Sequence, residues 1–173
     1  MRTWKMIINP KKNKQDAAFC QYFKTNTADF KCMYNVANFY IRNTMTGLKK
    51  SPEERTHLET EVLHYVFTGI QKANEVIGQK RMEKKFEDLK LAQIGGMKCA
   101  VVAYSLASQE PFQYPTAKKW FLSYNTLDAI FKFTDNPVYK RMNSQVNQNA
   151  IRKVIAAWDG YFESLKQYRT NPA

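Results

Sequence analysis

Apolar residues recur every three or four positions through most of the chain, the period of a helix with one buried face. The clearest run is the last. Ile151, Val154, Ile155, Trp158, Phe162 and Leu165 follow one seam, with Asn147 as its polar exception. A second run, Leu58, Val62, Tyr65, Val66, Ile70, Ala73 and Ile77, predicts another helix. A third follows Asn26 or Thr27, with Phe30, Met33, Tyr34, Ala37, Phe39, Tyr40 and Ile41 as its apolar positions and Gly47 as its stop. Ahead of it, residues 14–24 predict a short separate helix with Ala17, Ala18, Tyr22 and Phe23 turned inward.

Polar punctuation divides these runs. Ser51-Pro52-Glu53-Glu54 reads as a capping box, with Ser as N-cap, Pro at the first helical position and Glu at the third. Charged residues 80–90 carry that helix onward, or begin another, as far as Gly95-Gly96. Residues 97–106 lean toward strand at Val101, Val102 and Tyr104 and toward helix at Ala100, Ala103 and Leu106; they are read as helix. The two prolines of residues 110–116 demand a loop. Ser123 is placed to cap a short helix, Tyr124–Phe133, and Ser144 to cap the last one. Residues 3–9 are apolar, β-leaning and stopped by Pro10, which predicts one strand. The expected fold is mainly α: a helical bundle over 13–173 with one short N-terminal β-strand in 1–12.

Composition sharpens this picture in one direction. The 173 residues carry 27 Lys and Arg against 15 Asp and Glu, a formal net charge of +12. Eleven Phe, ten Tyr and three Trp supply a real core, so the charge does not signal disorder. Such an imbalance favours polyanionic partners, nucleic acid first among them. The charge is uneven: +8 over residues 1–50, −1 over 51–95 and +5 over 96–173. The middle reads as ordinary helix surface, and the two ends carry the basic signal.

Catalytic and metal chemistry find no foothold in the pattern. Cys20, Cys32 and Cys99 are far apart, with no C-x-x-C pair, so the expectation is free thiols and no zinc site. His57 and His64 are seven apart, too far for an i, i+4 metal pair, and read as surface residues despite Glu61 between them. No phosphate-binding glycine loop or nucleophile–base set is present. The opening residues lack a signal-peptide run, and no stretch approaches the ~18 apolar residues of a membrane span. The expectation is a soluble cytoplasmic chain, associated with the nucleoid when bound to DNA, with no catalytic residue, metal or cofactor and no membrane partner.

What remains is basic residues set among aromatics. Lys118-Lys119-Trp120-Phe121 and Tyr139-Lys140-Arg141 place cations beside rings, a pairing suited to phosphates and stacked bases. The competing reading makes the rings core and the cations their solvated neighbours. On the last helix Arg152, Lys153, Lys166 and Arg169 are read as lying off the apolar stripe, with Gln145, Gln148 and Asn149 near its start. Long cations and amides there suit a sugar–phosphate backbone, or simply form a solvated face.

These same regions resemble a known family. Residues 120–172 are similar to the N-terminal region of TnpB, the transposon-encoded relative of type V CRISPR effectors. The likeness rests on Asn143-Ser144-Gln145-Val146, Asn149, the stretch Trp158, Tyr161, Phe162, and the ending Lys166-Gln167-Tyr168-Arg169-Thr170-Asn171-Pro172. Residues 3–10 resemble the family's opening strand, and residues 31–38, with Tyr34 and Asn35, resemble its first helix. The resemblance covers roughly 1–48 and 116–173. Residues 49–115 have no counterpart in it and are expected to be a lineage-specific helical insertion.

The resemblance implies part of an RNA-guided DNA endonuclease: a first wedge strand and a helical recognition lobe that hold guide RNA, the RNA–DNA hybrid and target-adjacent DNA. Lys118, Lys119, Lys140, Arg141, Arg152, Lys153 and Arg169 are the expected backbone contacts, joined by Tyr34, Asn35, Gln145 and Asn149. In the family a RuvC-like nuclease half with three metal-binding acids follows. This sequence stops at Ala173, before that half, so the chain alone is not expected to cut DNA, and a divalent metal would belong to that half. The remainder of the nuclease, or a second copy of the chain, is the expected protein partner. Two rivals stay open: a stand-alone helix-turn-helix DNA-binding regulator, and a structural or interaction protein whose charge serves solubility.

Overall fold

The structure, a computed structural model, describes residues 8–11, 13–91 and 111–171. Among them are four α-helices: α1 (Lys14–Lys49), α2 (His57–Leu91), α3 (Tyr124–Phe133) and α4 (Ser144–Thr170). Single 3-10 turns lie at Pro52–Glu54 and Tyr139–Arg141. The mainly α bundle expected from the periodicity is what forms. The helix expected over 97–106 lies outside the described residues, as does the strand expected over 3–9 save its last two positions.

α1 is one helix of 36 residues where two were expected. Asn13 caps it, its side chain accepting from the Gln15 amide at 2.9 Å. Asn26, the expected cap of a second helix, instead bonds back along the first, its Nδ2 donating to the Tyr22 carbonyl at 2.7 Å. No glycine or proline falls between Lys14 and Gly47, so nothing forces a break. The buried stripe is Met33, Ala37, Ile41, Thr44 and Gly47. Tyr22 and Phe23, expected inward, are 64% and 54% exposed, and Phe39 is exposed as well. Tyr22 and Phe23 precede Met33, the first buried residue of the stripe, and Phe39 lies off it.

Gly47 does not stop α1, which runs on to Lys49. There α2 packs close against it: a Cβ at Gly47 would meet Leu63 Cδ1 at 3.1 Å and Glu59 Cβ at 3.3 Å. The end of α1 is closed from outside. Arg55 Nε donates to the Gly47 carbonyl at 2.7 Å and its Nη2 to the Lys50 carbonyl at 3.3 Å, using a cation to satisfy orphan carbonyls.

The box at Ser51 closes only the 3-10 turn: Glu54 Oε2 accepts from the Ser51 amide at 3.1 Å. α2 starts five residues later than expected, on a second box. The Glu59 amide donates to Thr56 Oγ1 at 3.2 Å, and the Thr56 amide donates back to Glu59 Oε2 at 2.9 Å. Val62, Val66, Ile70 and Ala73 are buried along α2, whereas Leu58, expected on that face, is exposed.

Ser123 caps α3 as expected, accepting from the Thr126 amide at 3.3 Å. The last helix is capped by Asn143 rather than Ser144, with Asn143 Oδ1 accepting from the Gln145 amide at 2.9 Å. Tyr65 ties α2 to the end of α3, its hydroxyl bonding Thr134 Oγ1 and accepting from Asn136 Nδ2 at 3.1 Å. Beside it, burial first and then the electrostatic interaction with the Tyr65 hydroxyl push the Tyr40 hydroxyl up to about 12.

One core joins all four helices: Met33 and Ile41 from α1, Val62, Val66 and Ile70 from α2, Leu127, Ile130 and Phe131 from α3, Ile151 and Val154 from α4. Burying each large side chain of this set contributes ~1.5–3 kcal/mol. α2 falls within residues 49–115, the stretch without a counterpart in the family resemblance, yet it supplies a full wall of that core. The connections from α1 to α2 (50–56) and from α3 to α4 (134–143) are both longer than the ~3–4-residue turn of a helix-turn-helix. No helix among the described residues is long and apolar enough to cross a membrane.

Candidate nucleic-acid interface

The four-helix arrangement leaves a groove along the side of the α1–α4 pair. On α1 it is lined by Tyr34, Asn38, Arg42, Met45 and Lys49, spaced at helical intervals one edge over from the core stripe. On α4 it is lined by Trp158, Phe162, Leu165 and Arg169 at the same kind of interval, with Ala157 and Tyr161 beside them. Trp120, from the extended stretch before α3, completes the wall. The cavity measures about 710 Å³.

Rings build its floor. Trp120 lies 5.8 Å from Trp158 and 5.9 Å from Phe162, centroid to centroid, and Tyr161 lies 5.8 Å from Trp158. Trp158 is fixed by its indole N–H, which donates to Asn38 Oδ1 at 3.0 Å across the α1–α4 seam. Trp120 and Trp158 are partly buried against the core, so they hold the helices together and still present ring surface to the groove. Tyr161 is 55% exposed. The Lys49 ammonium sits 5.8 Å from the Trp120 ring centroid. Three cations, Arg42, Lys49 and Arg169, therefore converge on one aromatic cavity, and no carboxylate is among the described residues that line it. Cations over ring faces suit phosphates flanking stacked bases.

Of the residues expected to touch nucleic acid, Tyr34 and Arg169 are brought together in this groove. Arg169 was expected off the apolar stripe. It follows Ile151 by eighteen positions, five full turns, and so shares its face. Asn35 lines an adjoining recess with Asn38 and Arg42. Arg152 lies elsewhere, its guanidinium 5.0 Å from the Tyr124 ring centroid, and its Nη1 donates to Asn149 Oδ1 at 3.4 Å. Gln145, Lys118 and Lys153 are exposed.

Two of the expected cations are engaged by acids. Lys140 Nζ lies 2.9 Å from Asp135 Oδ1, and that hydrogen-bonded ammonium holds the Asp135 carboxyl below its ordinary range. Arg141 Nη1 lies 3.9 Å from Asp29 Oδ1. For this pair the reading as neutralised surface neighbours fits better than a phosphate clamp. Tyr139, between the two expected cations and α3, is buried, and its hydroxyl donates to Asp128 at 2.7 Å. Arg42 and Lys49 escaped the sequence reading, although the series Tyr34, Asn38, Arg42, Met45, Lys49 was there to be found at helical spacing.

Cys20 and Cys32 are free thiols. His57 and Glu61 are exposed, with His57 Nδ1 3.7 Å from Glu61 Oε1. No protein-family model, no curated protein and no solved structure matches the chain.

Proposed function

We propose that this chain binds RNA without itself catalysing a reaction, with the α1–α4 groove as the seat for unpaired bases and their phosphates. The observation that carries this is the convergence of Arg42, Lys49 and Arg169 on a cavity floored by Trp120, Trp158 and Tyr161, with no carboxylate among the described residues that line it. An aromatic floor favours bases of any sequence through stacking, at ~1–3 kcal/mol per base, and the cations add a term set by salt. The net charge of +12 draws the polyanion in from a distance.

The resemblance of both basic flanks to the N-terminal region of TnpB supports guide RNA as the ligand. It also supports the RNA–DNA hybrid and target-adjacent DNA as further contacts, within an intracellular RNA-guided endonuclease. A recognition role of this kind reads backbone shape and leaves sequence to base pairing.

The test is the affinity for a guide-like RNA with a single-stranded segment, titrated between about 50 and 200 mM salt. The expected outcome is a steep loss of affinity with salt. Replacing Arg42, Lys49 and Arg169 together with Gln flattens the slope of log affinity against log salt by about 2, because three phosphate contacts on a single strand are removed. Affinity indifferent to salt removes the nucleic-acid reading and leaves the structural one. A salt-dependent affinity that ignores the triple substitution moves the site away from the groove.

A further inference from the structure

A second cavity, about 750 Å³, opens between the later half of α2, the loop from Pro111 to Thr116 and α3. Its cations come from three separate pieces of chain: Lys80 and Arg81 from α2, Lys119 from the stretch before α3, and Lys132 from α3. Among the described residues the one carboxylate lining it, Asp128, accepts a hydrogen bond from the buried Tyr139 hydroxyl at 2.7 Å. Its wall is held in place. Asn74 on α2 bonds the Phe112 backbone twice, donating to the carbonyl and accepting from the amide, each at 2.9 Å.

The two cavities share a partition. A tight turn, with the Thr116 amide bonded to the Lys119 carbonyl at 3.1 Å and the Lys119 amide bonded to Thr116 Oγ1 at 3.2 Å, lifts Lys118 and Lys119 to a crest. Where the turn ends, neighbouring side chains part: Lys119 lines the α2–α3 cleft and Trp120 the α1–α4 groove. A strand leaving the groove over this crest meets Lys119 first and the cations of the cleft next.

We propose that the α2–α3 cleft seats the phosphates of the same polynucleotide strand whose bases occupy the groove, making crest, groove and cleft one continuous track. This rests on the groove reading above and extends it: the ligand is an unpaired strand long enough to cross the crest, and its two parts are held by different chemistry. The groove stacks bases. The cleft neutralises backbone.

An oligonucleotide length series tests it. Oligouridylates of about 4 and about 12 nucleotides span the range that single-strand sites of this kind occupy. The longer one binds more tightly and with the steeper salt slope. Lys80→Gln, Arg81→Gln and Lys132→Gln, combined, remove that increment and flatten the long ligand's slope by about 2, while the short ligand binds as before. Inorganic tripolyphosphate reproduces the effect on the unsubstituted protein, displacing the increment and sparing the short ligand. All three residues are exposed, and an unchanged thermal unfolding curve establishes that the variant is folded. Equal binding of the long ligand by variant and wild type overturns the cleft and leaves the groove standing. Equal losses for short and long ligands also overturn it, since the cleft would then not extend a separate site. Failure of the wild type to bind either length overturns the groove reading itself.

Discussion

Among the described residues, Glu59 is the most tightly engaged charged group. It is only 6% exposed, and its carboxylate takes Lys50 Nζ at 2.8 and 2.9 Å, the Thr56 amide at 2.9 Å and Thr56 Oγ1 at 3.1 Å. The Lys50 hydrogen bond, then the Thr56 amide, pull its pKa from the usual 4.5 down to about 2. A folded-state pKa below the unfolded one means that its stabilising effect is complete above pH ~4.5 and fades as pH falls toward 2. Glu59→Gln is therefore expected to lower the denaturant midpoint at pH 7, and the gap to wild type is expected to narrow steadily between pH 5 and 2. Chemical denaturation at a series of pH values checks both; a gap that stays constant with pH contradicts the linkage. The Thr56-x-x-Glu59 pattern was open to view in the sequence, but Ser51-Pro52-Glu53-Glu54 advertised a stronger start. Only the packing of Glu59 against Gly47 and Lys50 decides between them. Asn147 shows the opposite case. Its place on an apolar stripe marked it as unusual, yet its job, donating to the Tyr139 and Met142 carbonyls to hold the 3-10 turn, depends on a chain reversal that periodicity does not encode.

Helices were legible wherever a stripe met a partner. α3 begins and ends as its Ser123 cap and apolar pattern indicate, and the start of α4 differs from expectation by one residue at its cap. The long α1 was misread because Asn26 and Thr27 resemble capping residues, and local sequence does not reveal that Asn26 bonds backward. Glycines mark what the helices do to one another. At Gly69 an added Cβ would meet Ile130 Cγ2 at 2.9 Å, Thr134 Cγ2 at 3.1 Å and the Ile130 Cα at 3.3 Å. α3 thus rests on the bare backbone of α2. At Gly160, on α4, an added Cβ meets nothing within 4 Å. Alanine improves helix propensity equally at both sites, by ~1 kcal/mol. The surroundings then decide the sign. Gly160→Ala is expected to stabilise by about 0.5–1 kcal/mol, and Gly69→Ala to destabilise by about 1–3 kcal/mol through overpacking. Equilibrium denaturation of the two variants side by side checks this, and a stabilised Gly69→Ala means that the α2–α3 contact is looser than the backbone distances say.

At the scale of the whole molecule, charge was legible and its geometry was not. A net charge of +12 pointed to a polyanionic partner, and adjacency in sequence then chose Lys140 and Arg141, which the fold places beside Asp135 and Asp29. Arg42, Lys49 and Arg169 come from opposite ends of the chain and meet only because α1 and α4 lie side by side. Like charges gathered in one groove repel. For cations ~10 Å apart in a watery groove, each pair costs about 0.4 kcal/mol before screening. A protein does not gain stability from such an arrangement; a polyanion filling it does. The double substitution Arg42→Gln, Arg169→Gln removes every repulsive pair in the groove and spares Lys49 on Trp120. It is expected to gain stability relative to wild type as salt is lowered from about 150 to about 10 mM, where the Debye length grows from ~8 to ~30 Å. Over the same range it is expected to lose the RNA affinity that wild type gains. Thermal unfolding and RNA titration at the two salt concentrations give both readings. Opposite signs identify cations held for a ligand at the expense of the fold. A variant that loses stability at low salt instead makes those two arginines part of the scaffold.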